Sequence, residues 1–191
     1  MLVSDLRHFL DLPDDAPGPA KRLGAQLAAI VRAASARPIG RGATTAVACR
    51  RRPGRRPCDG FVMVLRRMTG EIAWSCDVCG DEGVISGWEG SPTDVSGLDD
   101  SYVEDELVSI VIARELFDVV CGVLLLDDAS ELLVARAEGS AAGAVVLTGA
   151  AGSFEELIGY VASEANVETD RRRRRLLDEA CTALDAALGL G

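Results

Sequence analysis

Apolar positions along the chain follow two rhythms. Leu23, Leu27, Ile30 and Val31 recur at helical spacing, whereas Ile72, Trp74 and Cys76 alternate as one face of a strand does. The first rhythm predicts a helix that opens near Pro19, whose fixed φ suits a first turn, and stops at Pro38-Ile39-Gly40. Ahead of it, residues 4–10 read as a short helical turn ended by Leu12-Pro13, and residues 14–19 as a loop. The second rhythm predicts strands over 44–49, 61–67, 71–76 and 83–88, with Thr69-Gly70 turning the chain between the middle two.

A polar, acidic stretch over 91–100 then breaks the pattern and marks the best boundary. Beyond it, 107–113 reads as a strand and 114–126 as a buried apolar helix breaking near Gly122. Asp128 with Glu131 predicts an N-cap and a helix to about Glu138; residues 139–143 turn the chain into a strand over 144–148. Ser153 with Glu156 reads as a capping box, for a helix that buries Leu157, Tyr160, Val161 and Ala165 and ends at Asn166 or Val167. A last helix from about Thr169 puts Leu177, Cys181, Leu184 and Leu188 on one stripe, which makes Cys181 a core thiol; Cys121, in its apolar run, reads the same way. The expected fold class is α+β. A zinc-ribbon-like β module (41–98) packs with a helix-rich C-terminal α/β unit (99–191) and an N-terminal helical segment (1–40).

The candidate chemistry sits in the β module. Cys49 and Cys58 are separated by eight residues, seventeen follow, and then come Cys76-Asp77-Val78-Cys79-Gly80. Two cysteines two residues apart let one turn aim both sulfurs the same way, and Gly80 can take the positive φ that curls the backbone over an ion. The Pro53-Gly54 turn lets Cys49 and Cys58 close a loop and face each other. Four thiolates at the corners of a tetrahedron are a standard zinc donor set, so the expectation is one structural Zn2+ held by Cys49, Cys58, Cys76 and Cys79. Buried free thiols are one competing reading. A redox pair at Cys76 and Cys79 is another, although such a motif usually opens a helix, and a strand-like segment follows here. Trp74 and Trp88 flank the second pair and are expected to pack around the metal rather than to stack on bases.

Charge adds a second feature. The 191-residue chain carries a formal net charge of −10. Residues 41–75 nevertheless hold eight arginines against Asp59 and Glu71, and residues 76–110 hold ten acids with no Lys or Arg. Arg50, Arg51, Arg52, Arg55 and Arg56 lie between Cys49 and Cys58, where they are placed to meet a phosphate backbone or a partner protein. They are equally placed to pair with the chain's own acids. Lys21 is the one lysine, which reads as codon bias from a GC-rich bacterial genome, so arginine enrichment by itself says little. The run Arg171 to Arg175 goes all the way around a helix and crowds its N-terminal turn, where the macrodipole disfavours cations. Glu164, Glu168, Asp170, Asp178, Glu179 and the acidic loop at 94–106 are its candidate counter-charges; phosphates or an acidic partner are the alternative.

Three stretches carry a resemblance: Ser4-Asp5-Leu6-Arg7-His8-Phe9-Leu10-Asp11, the arginine-rich segment from Cys49 to Cys58, and Trp74-x-Cys76-x-x-Cys79-Gly80-Asp81-Glu82-Gly83-Val84-Ile85-x-x-Trp88. With Glu155 to Asn166 and the later arginine run, the chain resembles a family of uncharacterised bacterial zinc-ribbon-containing proteins. The resemblance implies that the four cysteines belong to the family pattern, and it implies no activity.

No P-loop, no G-x-G-x-x-G and no histidine-based triad is present, since His8 is the only histidine. A zinc with four thiolates has no open position for substrate, so the chain is expected not to be an enzyme. A binding or adaptor protein with a protein partner is the leading expectation, and nucleic-acid binding through Arg50 to Arg56 the alternative. The longest apolar run, 119–126, is too short to span a bilayer, and the N-terminus lacks the pattern of a signal peptide. No membrane association and a cytoplasmic address are expected.

Overall fold

The computed structural model describes residues 1–98, 107–140 and 143–189 and shows a mixed α+β protein. Its contacts divide the chain into two units, Met1–Gly97 and Leu98–Gly191.

The first unit is a five-stranded sheet with one face covered by a helix. Its elements are β1 (Leu2–Asp5), α1 (Arg7–Leu10), α2 (Gly18–Ser35), β2 (Gly42–Ala48), β3 (Phe61–Arg66), β4 (Ile72–Cys76) and β5 (Glu82–Ser86). The sheet order is β1-β5-β4-β3-β2, with β2 to β5 antiparallel to their neighbours and β1 parallel to β5. Strand alternation turns Val62, Val64, Ile72, Trp74 and Ile85 inward. Leu27, Ile30, Val31 and Ala34 of α2 meet them, together with Leu6 and Trp88. Trp88 is fully buried, its indole N–H donates to Gly70 O at 2.7 Å, and the Arg66 guanidinium lies 5.0 Å from the centre of its ring. Both tryptophans therefore serve the core under α2, and neither is open to a base.

Two expectations change here. Residues 2–5 form a strand along the edge of β5, and only Arg7–Leu10 is helical. The fourth predicted strand ends at Ser86, because Gly87 takes a positive φ and redirects the chain. The N-terminal segment 1–40 thus contributes both a strand and a covering helix to the unit that holds the cysteines.

Among its described residues the second unit has a three-stranded sheet, β6-β8-β7, and four helices. Strand β6 (Leu107–Ala113) pairs in unbroken antiparallel register with β8 (Ala144–Ala150), and β7 (Glu138–Gly139) adds a short edge. The helices are α3 (Arg114–Val120), α4 (Asp128–Ala135), α5 (Ala151–Val167) and α6 (Arg171–Leu188). Ile110, Ile112, Val120, Leu147, Phe154, Leu157, Val161, Leu177, Ala180 and Leu184 are buried.

Several local expectations are corrected in this unit. The apolar run 114–126 is helical only to Val120, and Leu124 and Leu125 stand 83% and 81% exposed. Cys121 is exposed and Cys181 only half-buried, so neither is a core thiol. The cap of α4 is Asp127, whose side chain accepts from Ser130 N at 2.9 Å, and the helix stops at Ala135. Ser153 is no cap: α5 starts at Ala151, directly off β8, and buries Ser153 within it. Arg173 of the arginine run bonds Glu164 (2.8 Å), Glu168 and Gly122 O (3.0 Å), Arg172 reaches Glu115 (3.6 Å) and Arg175 reaches Glu179 (3.3 Å). Three of the five thus have local carboxylate partners; the expected contribution from residues 99–106 lies outside the described residues.

Candidate metal centre

Two hairpins of the first unit converge at one end of the sheet. Cys49 follows β2 and Cys58 precedes β3, so the β2–β3 connection brings one pair. Cys76 is the last residue of β4 and Cys79 sits in the turn to β5, so the next hairpin brings the other. The four sulfurs lie within 4.8 Å of one another, Cys49 Sγ to Cys79 Sγ at 3.6 Å and Cys58 Sγ to Cys76 Sγ at 3.7 Å. A disulfide needs about 2.05 Å, so none of these pairs is bonded. A tetrahedron of thiolates at the zinc–sulfur distance of about 2.3 Å has edges of about 3.8 Å. Both short distances run between hairpins rather than within one, so an ion held by the four sulfurs would cross-link the hairpins.

Backbone geometry fixes each sulfur. Around the second pair, Gly80 N donates to Cys76 O (3.2 Å) and Cys76 N to Asp81 O (2.7 Å). Gly80 has φ 69°, the left-handed conformation that closes this knuckle without a Cβ penalty. The amides of Val78 and Cys79 point at Cys76 Sγ at 3.4 and 3.5 Å, and Arg51 N points at Cys49 Sγ at 3.4 Å. Such N–H groups favour the ionised sulfur. At the first pair, Cys49 N donates to Gly60 O and Cys58 N to Arg51 O, each at 2.9 Å. The lobe between Cys49 and Cys58 is thereby pinned at its base.

Two residues complete the site that the cysteine spacing did not single out. Asp77 Oδ1 accepts from Phe61 N at 2.8 Å, and Asp77 N donates back to Phe61 O at 3.1 Å. This reciprocal pair stitches the knuckle to the start of β3. Gly60 lies under the same knuckle: a Cβ there would stand 2.6 Å from both Cys76 Sγ and Asp77 Oδ1. A hydrogen-bonding Asp between two ligands and a Gly two residues after one are the only sequence traces of these roles.

Burial pushes the Cys49 and Cys76 thiols up from their ordinary range. The Cys79 thiol is shifted down, chiefly by the Asp81 backbone N–H. Without a cation, the Cys49 and Cys76 thiols resist ionisation. A bound cation would offset the thiolate charge and release protons on binding. The residues present fit a four-coordinate ion that prefers sulfur. With all four positions filled by protein, such an ion braces two hairpins and leaves no place for substrate.

The other expected site residues form no part of the cluster. His8 is exposed on α1 and outside the ligand group. Arg50, Arg51, Arg52, Arg55 and Arg56 are all exposed on the lobe; Arg51 approaches Asp81 at 3.7 Å. Comparison of the chain with family models, with curated proteins and with solved structures gave no match. No helix among the described residues is long and apolar enough to cross a membrane.

Proposed function

We propose that Cys49, Cys58, Cys76 and Cys79 hold one structural zinc ion in a zinc-ribbon-like module, as in the bacterial family that the sequence resembles. On this reading the protein is a non-catalytic binding or adaptor protein. The observation that carries the metal reading is the approach of sulfurs from separate hairpins to 3.6 and 3.7 Å, near the edge length of a zinc–thiolate tetrahedron. Zinc suits the role because it imposes no geometry of its own and does no redox chemistry.

A partner-binding role draws on the second face of the five-stranded sheet. Helix α2 covers one face. On the other, Val3, Leu65 and Met63 are 70%, 37% and 41% exposed, alongside Ala73 and Val84 from the strands between them. Contiguous exposed apolar surface is a usual mark of a protein-contact face. Metal analysis combined with thiol titration of the folded protein tests the central part. The expected result is one zinc per chain and two thiols, Cys121 and Cys181, that react without metal removal, with all six reacting after denaturation in chelator. Six fast-reacting thiols in the folded, metal-free protein would remove the reading.

A further inference from the structure

The lobe between the first two cysteines is unlike the rest of the surface. Its eight residues include five exposed arginines and no acid. Among the described residues only Arg51 has a carboxylate in reach, Asp81 at 3.7 Å, and Arg50, Arg52, Arg55 and Arg56 have none. The arginine run on α6 is the instructive contrast, because three of its five guanidinium groups are taken by Glu115, Glu164, Glu168 and Glu179. Among the described residues, the lobe is the less paired of the two arginine clusters.

The lobe is also stiff. Arg55 N donates to Arg52 O at 3.1 Å, Arg56 N to Pro53 O at 3.3 Å, and Pro53 and Pro57 fix φ at two further positions. Arg55 has φ 68° and is the one non-glycine residue with positive φ among the described residues; Gly54 before it has φ 60°. A left-handed arginine costs on the order of 1 kcal/mol, and such strain tends to persist where a position serves a function. Like charges gathered on so short and rigid a segment repel one another, and an external polyanion would relieve that. Guanidinium groups match phosphate oxygens in two-pronged geometry.

We propose that Arg50, Arg52, Arg55 and Arg56 form a contact surface for the phosphodiester backbone of nucleic acid. Trp74 and Trp88 are 7% and 0% exposed and offer no stacking platform, so the contact is carried by guanidinium groups on phosphates. Binding through phosphate contacts is strongly dependent on salt. The proposal rests on the metal reading at one point, the closure of the lobe's base by the ion.

Fluorescence anisotropy with labelled 20-nucleotide mixed-sequence RNA and DNA, single-stranded and duplex, tests this on the full-length, metal-loaded chain. About four phosphate contacts predict a loss of affinity of roughly a hundredfold between 50 and 200 mM salt. R52E/R55E/R56E is expected to abolish binding while keeping its zinc. Replacing the same residues by lysine is expected to keep most of the salt slope, and R171E/R174E to bind as the parent does. Absence of binding at 50 mM salt overturns the proposal. So does binding that survives R52E/R55E/R56E, or retention on phosphatidylserine vesicles with none on the oligonucleotides. If the arginines serve only to offset thiolate charge, R52E/R55E/R56E loses zinc and the parent binds no oligonucleotide, which also overturns it. Metal content is read in the same samples: salt-dependent binding by a chain without metal sinks the zinc reading and leaves this one standing.

Discussion

Gly60 has no side chain, and the point where a Cβ would stand is already held by Cys76 Sγ and Asp77 Oδ1. Alanine there must displace either a ligand or the carboxylate that ties the knuckle to β3. We expect G60A to weaken metal binding by about 10- to 100-fold, as disturbed support of a ligand generally does. Competition against a chromophoric chelator measures it, and unchanged affinity contradicts the account. Asp77 permits a cleaner comparison. D77A leaves Phe61 N without its acceptor at a cost of about 1–2 kcal/mol, whereas D77N keeps a carbonyl oxygen and should cost less. Equal urea midpoints for the two variants would show that the bond is unimportant. The cysteines themselves were legible in the sequence, because a two-residue gap followed by glycine has a local geometric meaning. Gly60 and Asp77 were not, because their roles arise only when β3 and β4 pair and bring residues 60–61 against 76–78.

Elements with their own periodicity are legible in the sequence. Helix α2 and strands β3 and β4 each carry enough apolar positions to declare their type, and the Thr69-Gly70 turn lies between those strands. Strand β1 escaped because four residues give no rhythm, and its partner β5 lies some eighty residues on. Cap positions slipped for a related reason. Asp127 and Asp128 stand side by side, and only the backbone decides which one accepts from Ser130 N. D127A is expected to cost about 1 kcal/mol and D128A almost nothing, as read from urea unfolding. The α5–α6 junction carries a pH dependence. Arg173 holds the Glu168 carboxyl below the usual carboxylate range. A lowered folded-state pKa means that this stabilisation is fully present above the unfolded value of about 4.3 and is lost as pH falls through the folded one. E168Q should therefore lose less stability than the parent between pH 5 and 3. Identical pH profiles would argue against the ion pair.

At the scale of the molecule, the net charge of −10 conceals the feature that matters, since the basic lobe is offset elsewhere in the chain. Among the described residues, which arginines find carboxylates is set by where the glutamates of α3, α5 and α6 fall, and composition carries no trace of it. An ion cross-linking the two hairpins would make metal removal felt locally. Chelation should raise hydrogen exchange at the amides of Phe61 and Asp77, which tie the two hairpins together, and of Cys49 and Cys76, which close each hairpin at the cluster. Amides of α5 and α6, in the other unit, should keep their protection, and a uniform rise across the chain would contradict a local brace. X-ray absorption at the metal edge of the purified protein tests the central claim most directly. The account predicts a zinc edge and four sulfur neighbours at about 2.3 Å, with no lighter atom in the inner sphere. A shell with fewer than four sulfurs, or with a nitrogen or oxygen ligand, would contradict it.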